Sequence, residues 1–199
     1  MFDSVDSYYK FHSKIYDLTR WSILFGRDEI HNHLPSLSGG DLKILDLGCG
    51  TGRQLLKLAK RYPNAQITGL DASKEMLQKA SVKLNHNDRI DLINNSIQSF
   101  LPTDNKYDLI FCSYSLSIIK DYSNLFELLK NSMKRHGIIS VVDFDKTPFE
   151  SFEKWMALNH VSVDGKLFKE LSRSFKPKFY QTRKAYGGLW SYTIFIGSE

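Results

Sequence analysis

The feature that most constrains this 199-residue chain is the run Asp46-Leu47-Gly48-Cys49-Gly50-Thr51-Gly52. It follows a short apolar stretch, KILDL, and leads into a segment with helical spacing over 53–62. Glycines at alternate positions let the backbone turn sharply with positive φ and let a ligand come close to the main chain. A strand that ends in such a turn and opens a helix starts a βαβ unit, and open α/β sheets bind ligands at the carboxyl ends of their strands. An all-helical or all-β chain has no use for this arrangement.

The rest of the pattern agrees. Short apolar stretches at 43–47, 65–70, 89–94, 107–112 and 137–144 read as strands, and 53–62, 74–84 and 125–134 read as helices. Such alternation predicts right-handed crossovers and a parallel sheet covered on both faces. Near the C-terminus, 179–184 and 190–196 flank Tyr186-Gly187-Gly188, a hairpin signal, so an antiparallel pair is expected to close the sheet edge. Before the sheet, Tyr8, Phe11, Ile15, Leu18 and Ile23 fall at helical spacings, and Pro35 and Ser38-Gly39-Gly40 end that pattern. The expectation is a single domain, 1–199. It divides into a helical lid (1–38), a ligand-binding core (41–145) and a C-terminal part that faces the substrate or a membrane (146–199).

Apolar residues make up 42% and charged residues 25%, globular values that argue against disorder. Cys49 and Cys112 form no CxxC pair, so neither a disulfide scaffold nor a cysteine zinc site is expected, and no metal is. No apolar run reaches the length of a membrane span and no signal peptide is visible, so the expectation is a cytoplasmic protein, soluble or peripheral at the inner membrane face. The charge is unevenly placed. Lys166, Lys169, Arg173, Lys176, Lys178, Arg183 and Lys184 face one acid, Glu170, and Phe168, Phe175, Phe179, Tyr180 and Tyr186 are interleaved with them. Such a segment suits an anionic membrane surface or nucleic acid, and it also fits a solvated face with snorkelling stems.

The chemistry can be narrowed further. Asp71 ends the second strand, where an acid can accept hydrogen bonds from both ribose hydroxyls of an adenosine. A dinucleotide site normally carries G-x-G-x-x-G facing a pyrophosphate. Here the glycines fall at 48, 50 and 52, and Asp46 precedes them, which suits the cationic amino group of a methionine moiety. ILDLGCGTG followed by ITGLDAS resembles the class I S-adenosylmethionine-dependent methyltransferases. That resemblance implies a Rossmann-like seven-stranded α/β fold with an antiparallel C-terminal strand. It also implies S-adenosylmethionine as cofactor, with Asp46, Gly48, Cys49, Gly50 and Gly52 around its methionine part and Asp71 and Ala72 at its ribose. Ser96 and Ile97 stand where many members have an acid and a residue against the base, and Cys112 ends the fourth strand near the donor.

CSYSLSII, with YYKFHSKIYDLTRWSILFGRDEI and AYGGLWSYTIFIG, is similar to the bacterial betaine-lipid N-methyltransferases, which act on diacylglyceryl-homoserine, and to related phospholipid N-methyltransferases. A lipid amine substrate at an anionic membrane surface is therefore expected. Phosphatidylethanolamine, RNA or a small metabolite is the alternative acceptor, and no obligate protein partner is inferred. Methyl transfer to an amine needs in-line alignment and a deprotonated nitrogen. The six histidines are scattered and no His–acid pair marks a dedicated base. Aromatic faces hold ammonium groups through every degree of methylation. Tyr16 and Tyr114 are the expected positioning residues, and Tyr9, Trp21 and Tyr186 join Arg20 and Arg27 as expected substrate contacts. Arginine can grip a carboxylate or a phosphate with two parallel bonds.

Overall fold

The computed structural model describes residues 22–37, 39–85, 87–100, 106–122 and 124–199. The strands of these residues are β1 (Lys43–Leu47), β2 (Gln66–Asp71), β3 (Ile90–Asn94), β4 (Tyr107–Ser113), β5 (Met133–Phe144), β6 (Lys176–Ala185) and β7 (Trp190–Ser198). They form one sheet in the order β3-β2-β1-β4-β5-β7-β6. β1 to β5 run parallel, and β7 runs antiparallel to both β5 and β6. The final strand thus inserts between β5 and β6, and the hairpin at Tyr186–Gly188 puts β6 on the edge.

The helices are α1 (Ile30–His33), α2 (Arg53–Arg61), α3 (Lys74–Leu84), α4 (Leu125–Asn131), α5 (Glu150–Leu158) and α6 (Lys166–Ser174). β1 shows how the two core layers arise. Ile44 points into a layer with Leu55 and Leu58 of α2 and Leu77 and Ala80 of α3. Leu45 and Leu47 point to the other side, against Phe126 and Leu129 of α4 and Phe168 and Leu171 of α6. Burying each such side chain stabilises the fold by about 1.5–3 kcal/mol relative to exposure. The helix-lined, doubly covered sheet expected from the sequence is present.

Several boundaries differ. The helix expected over 125–134 stops at Asn131, because Met133 already pairs with Tyr107 as the first residue of β5. The register then jumps to Leu109 with Ile138, so 134–137 bulge out, with His136 at φ +68°. Lys134 reaches from this bulge to the Asp41 carbonyl and the Asp108 carboxylate, at 2.6 and 2.8 Å. Two helices, α5 and α6, lie in the stretch that was read only as a substrate- or membrane-facing part. Of the expected lid, 1–21 lies outside the described residues, as does Ser38. The remainder is turns plus one helical turn, α1, whose Ile30 is fully buried.

The basic segment is broken up by folding. Phe168 and Phe175 are core residues, 1% and 2% exposed, and Tyr180 packs edge-on against Phe168 and Phe195. Lys166, Arg173 and Arg183 pair with Asp164, Glu170 and Glu29 at 2.9, 2.6 and 2.6 Å. Lys176 sits level with Ser198, and through it with Ile138, at the amino-terminal end of the parallel strands. No described helix is long and apolar enough to cross a membrane.

Candidate active site

A cavity of about 340 Å³ opens at the carboxyl ends of β1, β2 and β4, a size typical of small-molecule sites. Its floor is the turn after β1. Gly48 and Cys49 donate their amides to the Leu70 carbonyl at 2.8 and 3.0 Å, which ties the turn to the end of β2. Gly48 has φ +75°, and a Cβ on it would lie 2.4 Å from the Ser115 Cβ, so the turn and the loop after β4 touch only because no side chain intervenes. Gly50 has φ +55°, and a Cβ there would meet nothing within 4 Å. The space above it is open cavity.

Asp71 spans the turn and the next helix. Its Oδ2 accepts from the Gly50 amide at 2.8 Å and its Oδ1 from the Ser73 amide at 2.9 Å, and Ser73 in turn caps α3 through the Met76 amide. Each oxygen keeps a lone pair for a further donor. Burial raises its pKa, opposed by the Ser73 and Gly50 amides. Ala72, Ser73 and Met76 continue this wall, and Ser96, Ile97 and Gln98 from the loop after β3 face it. The Ser96 hydroxyl donates to that of Ser99 at 2.8 Å, and Ile97 is buried.

Asp46 lies beneath the turn, 1% exposed, and its Oδ2 has no hydrogen-bond partner among the described residues. Burial pushes its pKa up to about 8, with the Arg27 charge lowering it and the Asp71 charge raising it. Arg27 lines the cavity, whereas Asp46 does not and feels the Arg27 charge from beneath the turn. Arg27 was expected among the acceptor contacts, and it stands at the glycine turn instead. Its carbonyl accepts from Gln54 of α2 at 3.1 Å, which fixes the entering segment to that helix.

The third wall is the loop after β4. Ser113, Tyr114, Ser115, Ile118 and Ile119 line it, and Leu24, Asn159 and His160 also belong to the lining. Tyr114 has φ +58°, packs edge-on against Phe144 at 4.7 Å and donates its hydroxyl to the Phe25 carbonyl at 2.6 Å. Behind it, Phe25 contacts Tyr186, Trp190 and Tyr192, with ring centroids 5.5–6.2 Å apart.

The structure therefore brings Gly48, Cys49, Gly50, Asp71, Ala72, Ser96, Ile97, Arg27 and Tyr114 to one cavity. Four expectations are corrected. Asp46 is buried beneath the glycine turn and does not line the cavity. Cys112 is fully buried within the sheet and does not reach the cavity, because its side chain belongs to the core layer with Leu45 and Leu47. Gly52 is the N-cap of α2 behind the cavity wall and does not line it. Tyr186 sits in the β6–β7 hairpin, 58% exposed, where it donates to the Ser22 carbonyl and packs on Trp190 outside the cavity. Tyr9, Tyr16, Arg20 and Trp21 lie outside the described residues. Asn159, His160 and Asp143 were missed in the sequence. No group of acids, cysteines and histidines that could hold a metal ion occurs among the described residues.

Residues 38–188 match the family model described as a methyltransferase domain. The chain belongs to that family. Over 117 residues the methyltransferase is 36% identical to malonyl-[acyl-carrier protein] O-methyltransferase 1 of Ilyobacter polytropus, a match that covers 58% of this chain and 43% of that protein. It is 33% identical over 99 residues to trans-aconitate 2-methyltransferase of Deinococcus radiodurans, covering 50% of this chain and 36% of that one. The matches thus span less than half the length of these curated relatives. Phosphoethanolamine N-methyltransferase 2 of Haemonchus contortus, solved with phosphomonomethylethanolamine and S-adenosylhomocysteine, superposes with a TM-score of 0.81 at 16% identity, covering 98% of this chain and 59% of that one. At that identity the likeness is one of fold.

Proposed function

We propose that this methyltransferase transfers a methyl group from S-adenosylmethionine to the amine of a lipid head group, with diacylglyceryl-homoserine as the leading acceptor and phosphatidylethanolamine as its close alternative. The observation that carries the donor half is the Asp71 carboxylate, held by the Gly50 and Ser73 amides at the rim of open space above Gly50. The residues fit the donor along its length. Asp71 has two lone pairs left for a ribose diol. Ile97 and Met76 give an apolar slot for adenine, and Ser96 and Gln98 offer hydrogen bonds at its edge. Arg27, with its guanidinium in the cavity lining, suits the carboxylate of an amino acid, and Asp46 lies buried just beneath the same turn. When bound, the donor supplies a methyl group on a positively charged sulfur.

The chain's own residues then have to align an acceptor and exclude water. Tyr114, Leu24 and Ile118 form the less polar end of the cavity, and the hydroxyl of Tyr114 is committed to Phe25, which leaves its ring to border the acceptor space. His160 and Asn159 are the polar groups there, and His160 is the available proton acceptor for an incoming ammonium.

A second reading is methylation of a carboxylate, which the two curated relatives favour by name. A carboxylate is already nucleophilic and needs no base. One experiment separates them. Labelled S-adenosylmethionine is supplied with diacylglyceryl-homoserine, phosphatidylethanolamine, trans-aconitate, a malonyl thioester and bulk RNA, and the products are resolved by mass spectrometry. A labelled lipid whose methyl survives alkali is the expected result. Label released by alkali as methanol shows an ester and overturns the amine assignment.

A further inference from the structure

We infer that Asp143 is a positioning residue for the donor cavity, its buried carboxylate latching the loop after β4 against the glycine turn. Asp143 is the penultimate residue of β5 and is fully buried. It does not line the cavity, and nothing in the proposed chemistry uses it. Its Oδ2 accepts from the Leu116 and Ser117 amides at 2.9 and 3.0 Å, and its Oδ1 accepts from the Phe144 amide at 2.8 Å. The Ser117 hydroxyl is a further donor to it. Every group around this carboxylate is a donor, so only the ionised form satisfies them all.

What the latch holds is the cavity wall. Ser115, Ile118 and Ile119, on either side of the two held amides, line the cavity, and Ser115 is the side chain that rests against Gly48. The same segment passes the constraint on, because the Ser117 carbonyl accepts from the Ser162 amide at 2.8 Å. Ser162 follows closely on Asn159 and His160, which also line the cavity. One carboxylate therefore fixes two parts of the lining at once. A segment of backbone at a ligand site held by ionic hydrogen bonds keeps its geometry in a way that apolar packing alone does not.

Burial raises the pKa of Asp143 to about 6, opposed by the Ser117 hydroxyl and the Ser117, Phe144 and Leu116 amides. The titratable groups that feel its charge from the neighbouring elements are Cys112, Tyr114 and Tyr122, all neutral through the acid range. Protonation replaces an acceptor by a donor pointed at N–H groups, so acidification through this range releases the wall.

The role in donor binding rests on the cavity being the donor site, whereas the latch does not, and the test keeps the two apart. S-adenosylhomocysteine binding is measured by calorimetry at pH 7.5 for wild type, Asp143→Asn and Ile138→Ala, a core truncation at the far end of the same strand. Asp143→Asn is expected to bind at least tenfold more weakly, with Ile138→Ala within twofold of wild type. Binding by Asp143→Asn within twofold of wild type overturns the inference. Should Asp143→Asn not fold, the wild-type amides of Leu116 and Ser117 decide it by NMR. Both are expected to titrate with a midpoint near 6 and to lose exchange protection below it relative to Ile139. Two amides that stay flat and protected overturn the latch. Wild type that binds no S-adenosylhomocysteine defeats the donor reading, and the amide titration still tests the latch.

Discussion

Replacing Asp46 by asparagine tests the reasoning about the glycine turn most directly. The folded-state pKa of Asp46 stands at about 8 against 3.8 for the free side chain, chiefly because its carboxyl is removed from water. The folded state therefore holds a proton that the unfolded chain releases above its own pKa. For a raised acid the stabilising difference is fully present below about pH 4 and is lost as pH rises towards 8. The slope is about 1.4 kcal/mol per pH unit, summing to about 6 kcal/mol across the window. Asparagine has the same shape and does not titrate, so the variant escapes this loss. Urea denaturation followed by tryptophan fluorescence at pH 5.5, 6.5 and 7.5 measures it. With an m-value of about 2 kcal/mol/M for a chain of this size, the midpoint of Asp46→Asn relative to wild type should climb by about 0.7 M per pH unit. Comparison with wild type cancels the contribution of Asp143, which titrates in the same direction at lower pH. Parallel pH curves for the two proteins would refute the claim that this carboxyl is buried and unsatisfied in the free protein.

Three further predictions follow from single contacts. Asp71→Ala removes the acceptor for the Gly50 and Ser73 amides along with the ribose contacts, and at about 1.5–3 kcal/mol per charged hydrogen bond it should weaken S-adenosylmethionine binding by tenfold or more in a calorimetric titration. Gly48→Ala drives a methyl group into Ser115 at a positive φ, and strain plus overpacking should cost about 2–4 kcal/mol, visible as a lowered thermal midpoint. Tyr114→Phe strands the Phe25 carbonyl, and about 1 kcal/mol of stability should be lost in denaturant with little change in donor affinity.

The strands and the turn were legible because both obey local rules. KILDL, QITGLD and YDLIFC are apolar stretches whose lengths allow only strands between the flanking helices, and Gly48 and Gly50 do what only glycine can at those dihedral angles. The corrections come where tertiary placement decides. Cys112 is the penultimate residue of β4, at the right level, but faces the core layer rather than the cavity, and a shift of one residue in a strand reverses that. Phe168 and Phe175 looked like partners for a charged ligand, yet Leu167, Phe168 and Leu171 form the buried stripe of α6, a helical spacing obscured by the lysines around it. Met133 joins β5 through a bulge that no local pattern announces. Asp143 did carry a signal. Like Asp46 and Asp71, it is an acid at the carboxyl end of an otherwise apolar strand, where burial is affordable only if the backbone nearby supplies donors.

On the proposed lipid reading, the fold sets where a membrane would have to lie. Lys176 and Lys184 stand at opposite ends of β6, about 26 Å apart at 3.3 Å per residue. Only the Lys184 end is level with the strand ends that carry the cavity, since Lys184 pairs with Ser191 and Tyr192 lies opposite Phe144. The Lys176 end is level with Ile138, at the opposite, amino-terminal end of the parallel strands. A bilayer that delivers a head group to the cavity must therefore meet the chain near Lys184 and Lys146, both exposed, and cannot gain its main electrostatic attraction from Lys176 and Lys178. Charge reversal of Lys184 and Lys146 should cut co-sedimentation with vesicles rich in anionic lipid and raise the KM for lipid substrate several-fold. Reversal of Lys176 and Lys178 should change neither by more than about a quarter of that effect, since surface cations contribute about 1 kcal/mol each only within a Debye length of the membrane. Equal losses from the two pairs would mean that the bilayer lies along the sheet edge, and the path from head group to glycine turn would have to be redrawn.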